Sequence, residues 1–585
     1  VRVGTTFYQL LPPRADGICK ALAEDILPLT PALVDIARTC TLCGHCDRQC
    51  HFVTGMQPTV VMRALKEEVE ARLERGEQVQ SPGPDPVKQR LELVVGSQWV
   101  TNDAAILLCY ADDPFPFSPP RLPAWVVLPR TTEEVESIMN IVKEEGLPWA
   151  VRGNGASVYG LVFSSGLVLD MTRMKGIKVD TGNWWLEAEA GVTAFEAQQA
   201  AWRHGCRINT AEPAATMCGN ALATGIFSTW FHAYGLAADN VIDATFVDEA
   251  GHSFFLHDPA GPNFFVHRPD PFTRPRIICT KATFRMFPVT EDEEGLLVPF
   301  GSFAEALGLA QELATRRIGV ALAVLGEHFL STFLSPTQAL AEQVKETLST
   351  HLNLHSAVFL IGDVHAREAV KKMTPTIIDD STFRSLMLGL PQLTTGEWGA
   401  VLRDTPGDEP LFAMLFQEEM RSFLDLILEP SPEHIATAVD NAELKDFYRE
   451  LYARPEMTDP VWLNMFRIVS SRMARHKHVI AFVLYLPLEK ALVQEVMTMF
   501  SDIAETYGVD HAFGFLTPLD FGKRVVFEYD YYLDQTSAEE KKRLAPAMQV
   551  VEQQVAKLIQ KNSAIKPMSL ILGQGLARKE QFLYQ

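Results

Sequence analysis

Positive charge is scarce in this chain. Lys and Arg number 52 against 73 Asp and Glu, a formal net charge of −21 at neutral pH. Neutralising a nucleic-acid backbone takes clustered Lys and Arg, so no nucleic-acid partner is expected. A local basic patch beside an anionic substrate is still compatible with that total. Long apolar runs are missing too. No stretch approaches the ~20 residues of a membrane-spanning helix. The first residues, Val1-Arg-Val-Gly-Thr-Thr-Phe7, lack the apolar segment and cleavage pattern of a signal peptide. The expectation is a cytoplasmic protein without a transmembrane segment, with peripheral membrane association through a partner left open. Internal repeats and low-complexity segments are absent. What remains is an ordinary globular composition, 47% hydrophobic and 21% charged over 585 residues. That length allows roughly three or four domains at ~150 residues each.

Cysteine is sparse except in one place. Of nine cysteines, four fall between positions 40 and 50, as Cys40-Thr-Leu-Cys43-Gly-His-Cys46-Asp-Arg-Gln-Cys50. Crowded thiols in an intracellular chain point to metal rather than disulfides. The spacing C-x2-C-x2-C-x3-C is the bacterial ferredoxin pattern for a [4Fe–4S] cluster. Zinc more often uses two separated pairs. His51 stands where the ferredoxin pattern has Pro, and there is one run rather than two. The fourth ligand is therefore Cys50 locally or a distant Cys19 or Cys109, with a second run in a partner subunit as a further alternative. After the run, Thr59–Leu73 reads as an amphipathic helix with Val61, Leu65, Val69 and Leu73 on one face, stopped by Gly76. Ser81-Pro-Gly-Pro-Asp-Pro86 reads as a linker and marks a boundary.

Glycine is concentrated in a loop, Arg152-Gly153-Asn154-Gly155-Ala156-Ser157-Val-Tyr-Gly160, which follows the short strand candidate Leu147–Val151. The loop fits neither G-x-G-x-x-G nor a Walker ending. Closely spaced glycines still let a backbone bend tightly and turn its N–H groups toward an anion. A second small-residue loop follows at Glu212–Gly225, containing Pro213, Thr216, Met217, Gly219, Asn220, Thr224 and Gly225. The two loops read as a cradle for the pyrophosphate of a flavin dinucleotide.

Between linker and loops, Ala105–Cys109 and Trp125–Leu128 are strand candidates. Thr131 and Glu134 form a capping box before the helical stripe Val135, Ile138, Met139 and Val142, which Gly146 ends. Strands follow at Gly166–Asp170 and Leu186–Ala190, then a helix with the box Thr193/Glu196.

Five blocks carry a family resemblance. They are Leu128–Val135, Arg152–Ser157, Leu167–Asp170 with Met174, Glu189–Val192 and Ala215–Asn220, supported by Tyr234–Ile242. In order and spacing they resemble the FAD-binding domain of vanillyl-alcohol oxidase/p-cresol methylhydroxylase type flavoproteins, with glycolate oxidase and D-lactate dehydrogenase flavin subunits. The resemblance covers about residues 120–290. It implies an α+β fold in which FAD lies between two subdomains, covered by an α+β substrate cap. It also implies cofactor contacts from Arg152 to Ser157, Pro213, Thr216, Met217, Gly219, Asn220, Thr224 and Gly225, and along Tyr234, Gly235, Asp239 and Ile278. The family's covalent His is missing from the first loop, which favours noncovalent FAD. The expected layout is a small helical iron–sulfur module at 1–85, the FAD-binding domain at 86–290 and the cap at 291–530. A C-terminal helical segment at 531–585, with Leu544, Met548, Val551 and Val555 on one face, is expected to pack on the FAD domain.

In the cap, Arg524–Tyr532 alternates, placing Val525, Phe527, Tyr529 and Tyr531 on one face and Arg524, Val526, Glu528, Asp530 and Tyr532 on the other. The hydroxyacid branch's His-x-Gly-Asp-Gly-Asn-x-His block is absent, and the segment looks more like the aryl-alcohol and cresol-oxidising branch. His511, Lys523, Arg524, Glu528, Tyr529 and Tyr531 are the candidates for fixing a substrate or removing its proton. A hydride-accepting flavin beside a one-electron cluster suggests a dehydrogenase. It would oxidise a small hydroxy compound and pass electrons singly to a protein acceptor within a hetero-oligomer. The acceptor would be an iron–sulfur subunit, an electron-transferring flavoprotein or a quinone-linked complex. Two other readings stand beside it: a relay subunit without a substrate of its own, and a cluster with a purely structural role.

Overall fold

The architecture is that of a computed structural model describing residues 15–47, 57–111, 121–156, 164–219, 228–256, 277–335, 338–374, 376–384, 386, 432–439, 442–453, 477–534 and 536–567. Helices α1 (Ala15–Ala23), α2 (Pro31–Thr39) and α3 (Pro58–Glu74) form the N-terminal layer. Thr30 caps α2 by accepting from Leu33 N at 3.2 Å, and Pro31 occupies the first turn, where a missing N–H costs nothing. On α3 the expected stripe is rotated slightly. Met62, Leu65, Val69 and Arg72 are buried, whereas Val61 and Leu73 are half-buried. Leu65 and Val69 are fully covered, each contributing about 1.5–3 kcal/mol relative to exposure.

Helix α4 (Pro86–Val95) leads to strand β1 (Val100–Thr101) and helix α5 (Ala104–Leu108). Here the strand expected at Ala105–Cys109 is a helix. Asp103 caps it through Ala105 N at 3.0 Å, and a short apolar run of Ala, Ile and Leu satisfies either period. Strand β2 (Trp125–Val127), helix α6 (Thr132–Glu145), β3 (Trp149–Arg152) and β4 (Leu167–Asp170) complete a sheet ordered β1-β2-β4-β3, parallel except for β1. At α6, Thr131 Oγ1 accepts from Glu134 N, but the Glu134 carboxylate accepts from Arg130 N rather than closing the box on Thr131. The Thr193/Glu196 box closes in both directions.

The second sheet is antiparallel. It contains β5 (Ile177–Asp180), β6 (Trp185–Glu189), β7 (Cys206–Ile208), β8 (Val241–Asp248), β9 (Ser253–Phe255) and β10 (Ile277–Pro288), with helices α7 (Ala194–Trp202) and α8 (Phe231–Tyr234) inserted. The cap is built on a third sheet, ordered β11-β13-β12-β15-β16-β14-β17. Its elements run β11 (Glu294–Phe300), α9 (Phe303–Arg316), β12 (Ala321–Gly326), α10 (Glu327–Leu334), α11 (Gln338–Thr350), β13 (Ser356–Gly362), α12 (Val364–Met373), α13 (Pro432–Ala438) and α14 (Ala442–Tyr452). They continue through β14 (His478–Pro487), α15 (Lys490–Tyr507), β15 (Asp510–Leu519), β16 (Arg524–Leu533), α16 (Ala538–Lys561) and β17 (Lys566–Pro567).

Two large cores divide this sheet by face. Leu322, Val324, Phe482, Phe527, Tyr529 and Tyr531 join Phe500 and Val551 under the helices. Ala323, Leu325, Val479, Ala481, Val483, Val526 and Tyr532 join the flavin-domain residues Leu169, Phe246, Val247 and Ile278. The C-terminal helix is a correction. Leu544, Met548, Val551 and Val555 are buried as expected, but α16 packs against α15 and β16 of the cap. The aromatic residues of β16 supply the apolar surface it covers, and β17 extends the same sheet.

The N-terminal boundary divides sequence more sharply than packing. Ala105, Ile106, Leu107, Val126, Leu128 and Val168 share a core with α1, α2 and α3. Trp125 Nε1 donates to Asp85 Oδ2 at 2.6 Å, fastening the linker to the first sheet. Among the described residues no helix is long and apolar enough to cross a membrane.

Candidate functional site

The two small-residue loops meet. Strand β3 delivers Gly153 so close to Thr216 that an added Cβ would lie 2.4 Å from Thr216 Oγ1. Asn154 Nδ2 donates to Ala214 O at 2.9 Å across the same junction. The second loop is held from behind by a bridge between Thr193 and Thr216, by Ala194 N donating to Ala215 O, and by Phe195 N donating to Pro213 O. Gly155 takes φ +72°, and a Cβ there would strike the Arg152 guanidinium at 2.3 Å. Only glycine accepts both demands.

Arg152 itself is 6% exposed and folds back beneath Gly155. Its Nη1 donates to Cys109 O at 3.2 Å, and its guanidinium lies over the Tyr110 ring. Tyr110 Oη donates to Asp170 Oδ2 at 2.7 Å. Burial and the Asp170 carboxylate push the Tyr110 phenol well above its usual value. The side chain of Arg152 is thus turned inward, beneath the loop it supports. Ala156 is exposed at the loop's edge and Gly219 lies within reach of Thr216 Oγ1. Met217 is buried core. Ser157, Asn220, Thr224 and Gly225 lie outside the described residues.

Farther along, Tyr234 stacks on Phe287 at 3.8 Å and packs with Trp230, Ala321 and Ile361 at the cap junction. Burial pushes its phenol up to about 12. Gly235 takes φ +75°, and Asn209 Nδ2 donates to its carbonyl at 2.9 Å. Asp239 accepts from Leu236 N and so holds this turn. Ile278 is a core residue paired with Val247. Cys218, inside the second loop, neighbours Cys279; burial and that second thiol raise Cys279 well above its usual value.

These residues fit a dinucleotide. The Gly153–Thr216 approach is a cradle that any side chain would fill. Beside Gly235, the buried Asn209 Oδ1 has no hydrogen-bond partner among the described residues, an unmet acceptor that costs about 1–3 kcal/mol unless a ligand or water meets it.

The cap candidates separate by face. Tyr529 and Tyr531 lie on the helix-covered side and do not face the flavin domain. Tyr531 Oη donates to Phe500 O at 2.7 Å, and His511 Nδ1 lies 2.8 Å from Tyr529 Oη. Burial lowers His511 and pushes Tyr529 up to about 12. Arg524 is exposed at the strand's start and pairs with Asp520. Glu528 remains. It alternates with Val526, Asp530 and Tyr532 on the flavin-side face, almost fully buried. Gly514 on β15 makes room there; a Cβ would lie 2.8 Å from Asp530 Oδ2 and 3.0 Å from Glu528 Oε1. His328 lies beside Tyr532, ring centroids 4.9 Å apart. The alternation already put Asp530 on this face without naming it a candidate, whereas Gly514 and His328 were not singled out. A glycine inside a strand pattern was the available signal.

At the N-terminus, Cys40 caps α2, and Leu42 (φ +53°) and Gly44 (φ +75°) turn the chain left-handed between Cys40, Cys43 and Cys46. The His45 N–H and Thr41 hydroxyl hold the Cys43 thiol below its usual value, whereas burial and Asp47 raise Cys46. Asp47 accepts from both Thr59 N and Thr59 Oγ1 at the start of α3. Lys66 Nζ donates to Cys40 O at 3.2 Å. Cys50 lies outside the described residues. Among the described residues no three His, Cys, Asp or Glu side chains converge as a metal-holding group. The three described cysteines, Cys40, Cys43 and Cys46, sit along one turning loop, and the cluster expectation rests on their spacing and thiol chemistry. Of the distant alternatives, Cys19 is half-buried on α1, and Cys109 is buried with its thiol bonded to Ala105 O.

Residues 123–255 match the FAD binding domain family. D-lactate dehydrogenase of Archaeoglobus fulgidus is 28% identical over 215 residues, 34% of this chain and 46% of its own length. An uncharacterized FAD-linked oxidoreductase of Mycobacterium tuberculosis is 30% identical over 158 residues, 26% and 34% respectively. The chain thus spans less than half the length of these curated relatives. Among solved structures, p-cresol methylhydroxylase superposes with a TM-score of 0.56 at 14% identity, covering 83% of this chain and 88% of that one. The 4-ethylphenol oxidase of Gulosibacter chungangensis gives 0.55 at 13%, with the same coverage. At those identities the likeness is one of fold.

Proposed function

We propose that this chain is an FAD-dependent oxidoreductase. It oxidises a small organic hydroxy compound, a 2-hydroxyacid or an alcohol, and acts as a dehydrogenase. The observation that carries the reading is the contact of Gly153 with Thr216 inside the segment matching the FAD binding domain family. FAD, when bound, supplies the two-electron acceptor for hydride. The chain's residues do the remainder. Backbone N–H groups of the first loop (153–157) and of the second (216–220, with Thr224 and Gly225) would meet the pyrophosphate. Glu528 receives the proton of the substrate hydroxyl as hydride leaves the adjoining carbon. The support for that role is its burial on the flavin-side face of β16, where its side chain packs over Gly514 beside Asp530.

Cys40, Cys43, Cys46 and Cys50 would hold a [4Fe–4S] cluster, which carries single electrons to a protein acceptor. Support comes from the cysteine spacing and the two left-handed turns of the loop. Hetero-oligomer formation with that acceptor follows from the same reading.

Anaerobic titration of the purified protein with 2-hydroxyacids and aryl alcohols, followed by absorbance and EPR, tests it. Flavin bleaching by one donor class, together with a reduced-cluster EPR signal, is the expected result. Bleaching by no donor, with reduction only by dithionite or a protein partner, would overturn the substrate reading in favour of a relay subunit.

A further inference from the structure

We infer that the helical module carrying the cysteine loop is also the floor of the cofactor loop, with Arg152 as the positioning residue that joins them. This rests on the FAD reading above. The connection is continuous. Cys40 caps α2 at its end; at its start, Ala32 N donates to Asp103 Oδ2 at 3.2 Å. Asp103 caps α5, whose last turn presents the Cys109 carbonyl to Arg152. Arg152 in turn fills the volume beneath Gly155 and fixes its left-handed turn. Tyr110 stacks under the guanidinium and bonds to Asp170, which pairs with Arg152 in adjacent strands. Arg152, Tyr110 and Asp170 are each at most 6% exposed. A buried cation, phenol and carboxylate linked in this way admit one arrangement, because each alternative leaves a charge or donor unpaired.

The consequence is reciprocal. A cofactor that selects the ordered glycine loop stabilises α5 and α2, and loosening of those helices releases the loop. Arg152 touches no cofactor itself. It acts through Gly153–Gly155.

The test uses full-length protein stripped of flavin. Arg152→Ala should bind FAD about 10- to 100-fold more weakly, the scale of losing a buried charge-assisted hydrogen bond. Guanidinium ion at sub-denaturing concentration should restore part of the affinity, an effect that general misfolding would not show. Tyr110→Phe keeps the stacked ring, loses the bond to Asp170, and should give a smaller loss of the same kind. It keeps the inference testable where Arg152→Ala fails to fold. By hydrogen exchange, FAD should slow residues 31–39 and 104–111 in the unaltered chain and leave them unchanged in Arg152→Ala. FAD affinities within twofold of the unaltered chain for the variants that fold would overturn the inference. So would FAD binding that leaves exchange in α2 and α5 unaffected. Failure of the unaltered chain to bind FAD would sink the cofactor reading and this inference together.

Discussion

Gly153 and Thr216 touch across two loops, and the space between them is too small for a methyl group, 2.4 Å at its closest. Gly153→Ala is therefore expected to force the loops apart and lower FAD occupancy by about an order of magnitude or more. Thr216→Ala in the same chain removes the hydroxyl and methyl that clash and should recover part of the occupancy. Flavin absorbance per protein after gel filtration checks both. Equal occupancy in Gly153→Ala and the unaltered chain would mean the contact does not shape the cofactor site.

The faces of β16 set apart two outcomes. Glu528→Gln should slow flavin reduction by the titrating donor about 10²- to 10⁴-fold, the range of general base catalysis, with FAD content unchanged. Tyr531→Phe removes a buried bond to Phe500 O and should cost about 0.5–1.5 kcal/mol of stability without slowing flavin reduction. Stopped-flow absorbance and denaturant titration read the two effects separately. A Tyr531→Phe variant slowed as much as Glu528→Gln would contradict the assignment of faces.

Burial pushes His478 down to about 4, and neither ring nitrogen has a hydrogen-bond partner among the described residues. In the unfolded chain an ordinary His takes up its proton near pH 6.5. Between those values the unfolded state binds more protons, so stability falls as pH drops from about 6.5 to about 4 and levels off below. The pKa difference sets an upper limit of about 3 kcal/mol on this loss. His478→Leu should flatten the decline. Denaturant midpoints at pH 7.5, 6 and 5 decide, and the same slope in both proteins would assign the acid sensitivity to other groups.

Cys43→Ser should lower both iron and acid-labile sulfide, because a hydroxyl is a poor substitute for a thiolate ligand. Asp47→Asn weakens the clamp on Thr59 and should lower metal content less. Elemental analysis after anaerobic reconstitution measures each. A zinc-loaded protein without sulfide would replace the cluster with a different metal.

Much of this molecule was readable along the chain. The α6 stripe, its Gly146 stop, the Thr193/Glu196 box and the alternation of β16 are local patterns. Each depends on periodicity or on a cap three residues away. The two small-residue loops and the cysteine spacing are equally local. Ala105–Cys109 reads as a strand from sequence yet folds as a helix, because a short apolar run fits either until Asp103 caps one end. Nor could periodicity say which face of β16 looks toward the flavin domain. It separated Glu528 from Tyr529 and Tyr531 correctly and left both sets as candidates. Helix α15 covering one face decided the matter, burying the tyrosines with Phe500 and leaving Glu528 beside Gly514. The sequence by itself determined most of the elements around the loops, the loop chemistry and the thiol spacing, since these follow from neighbours on the chain. Tertiary structure alone decided that Gly153 meets Thr216, that Arg152 turns inward to Cys109 and Tyr110, and that α16 joins the cap. Those outcomes depend on packing between residues far apart in sequence, where close fit and the pairing of buried charge leave no local trace.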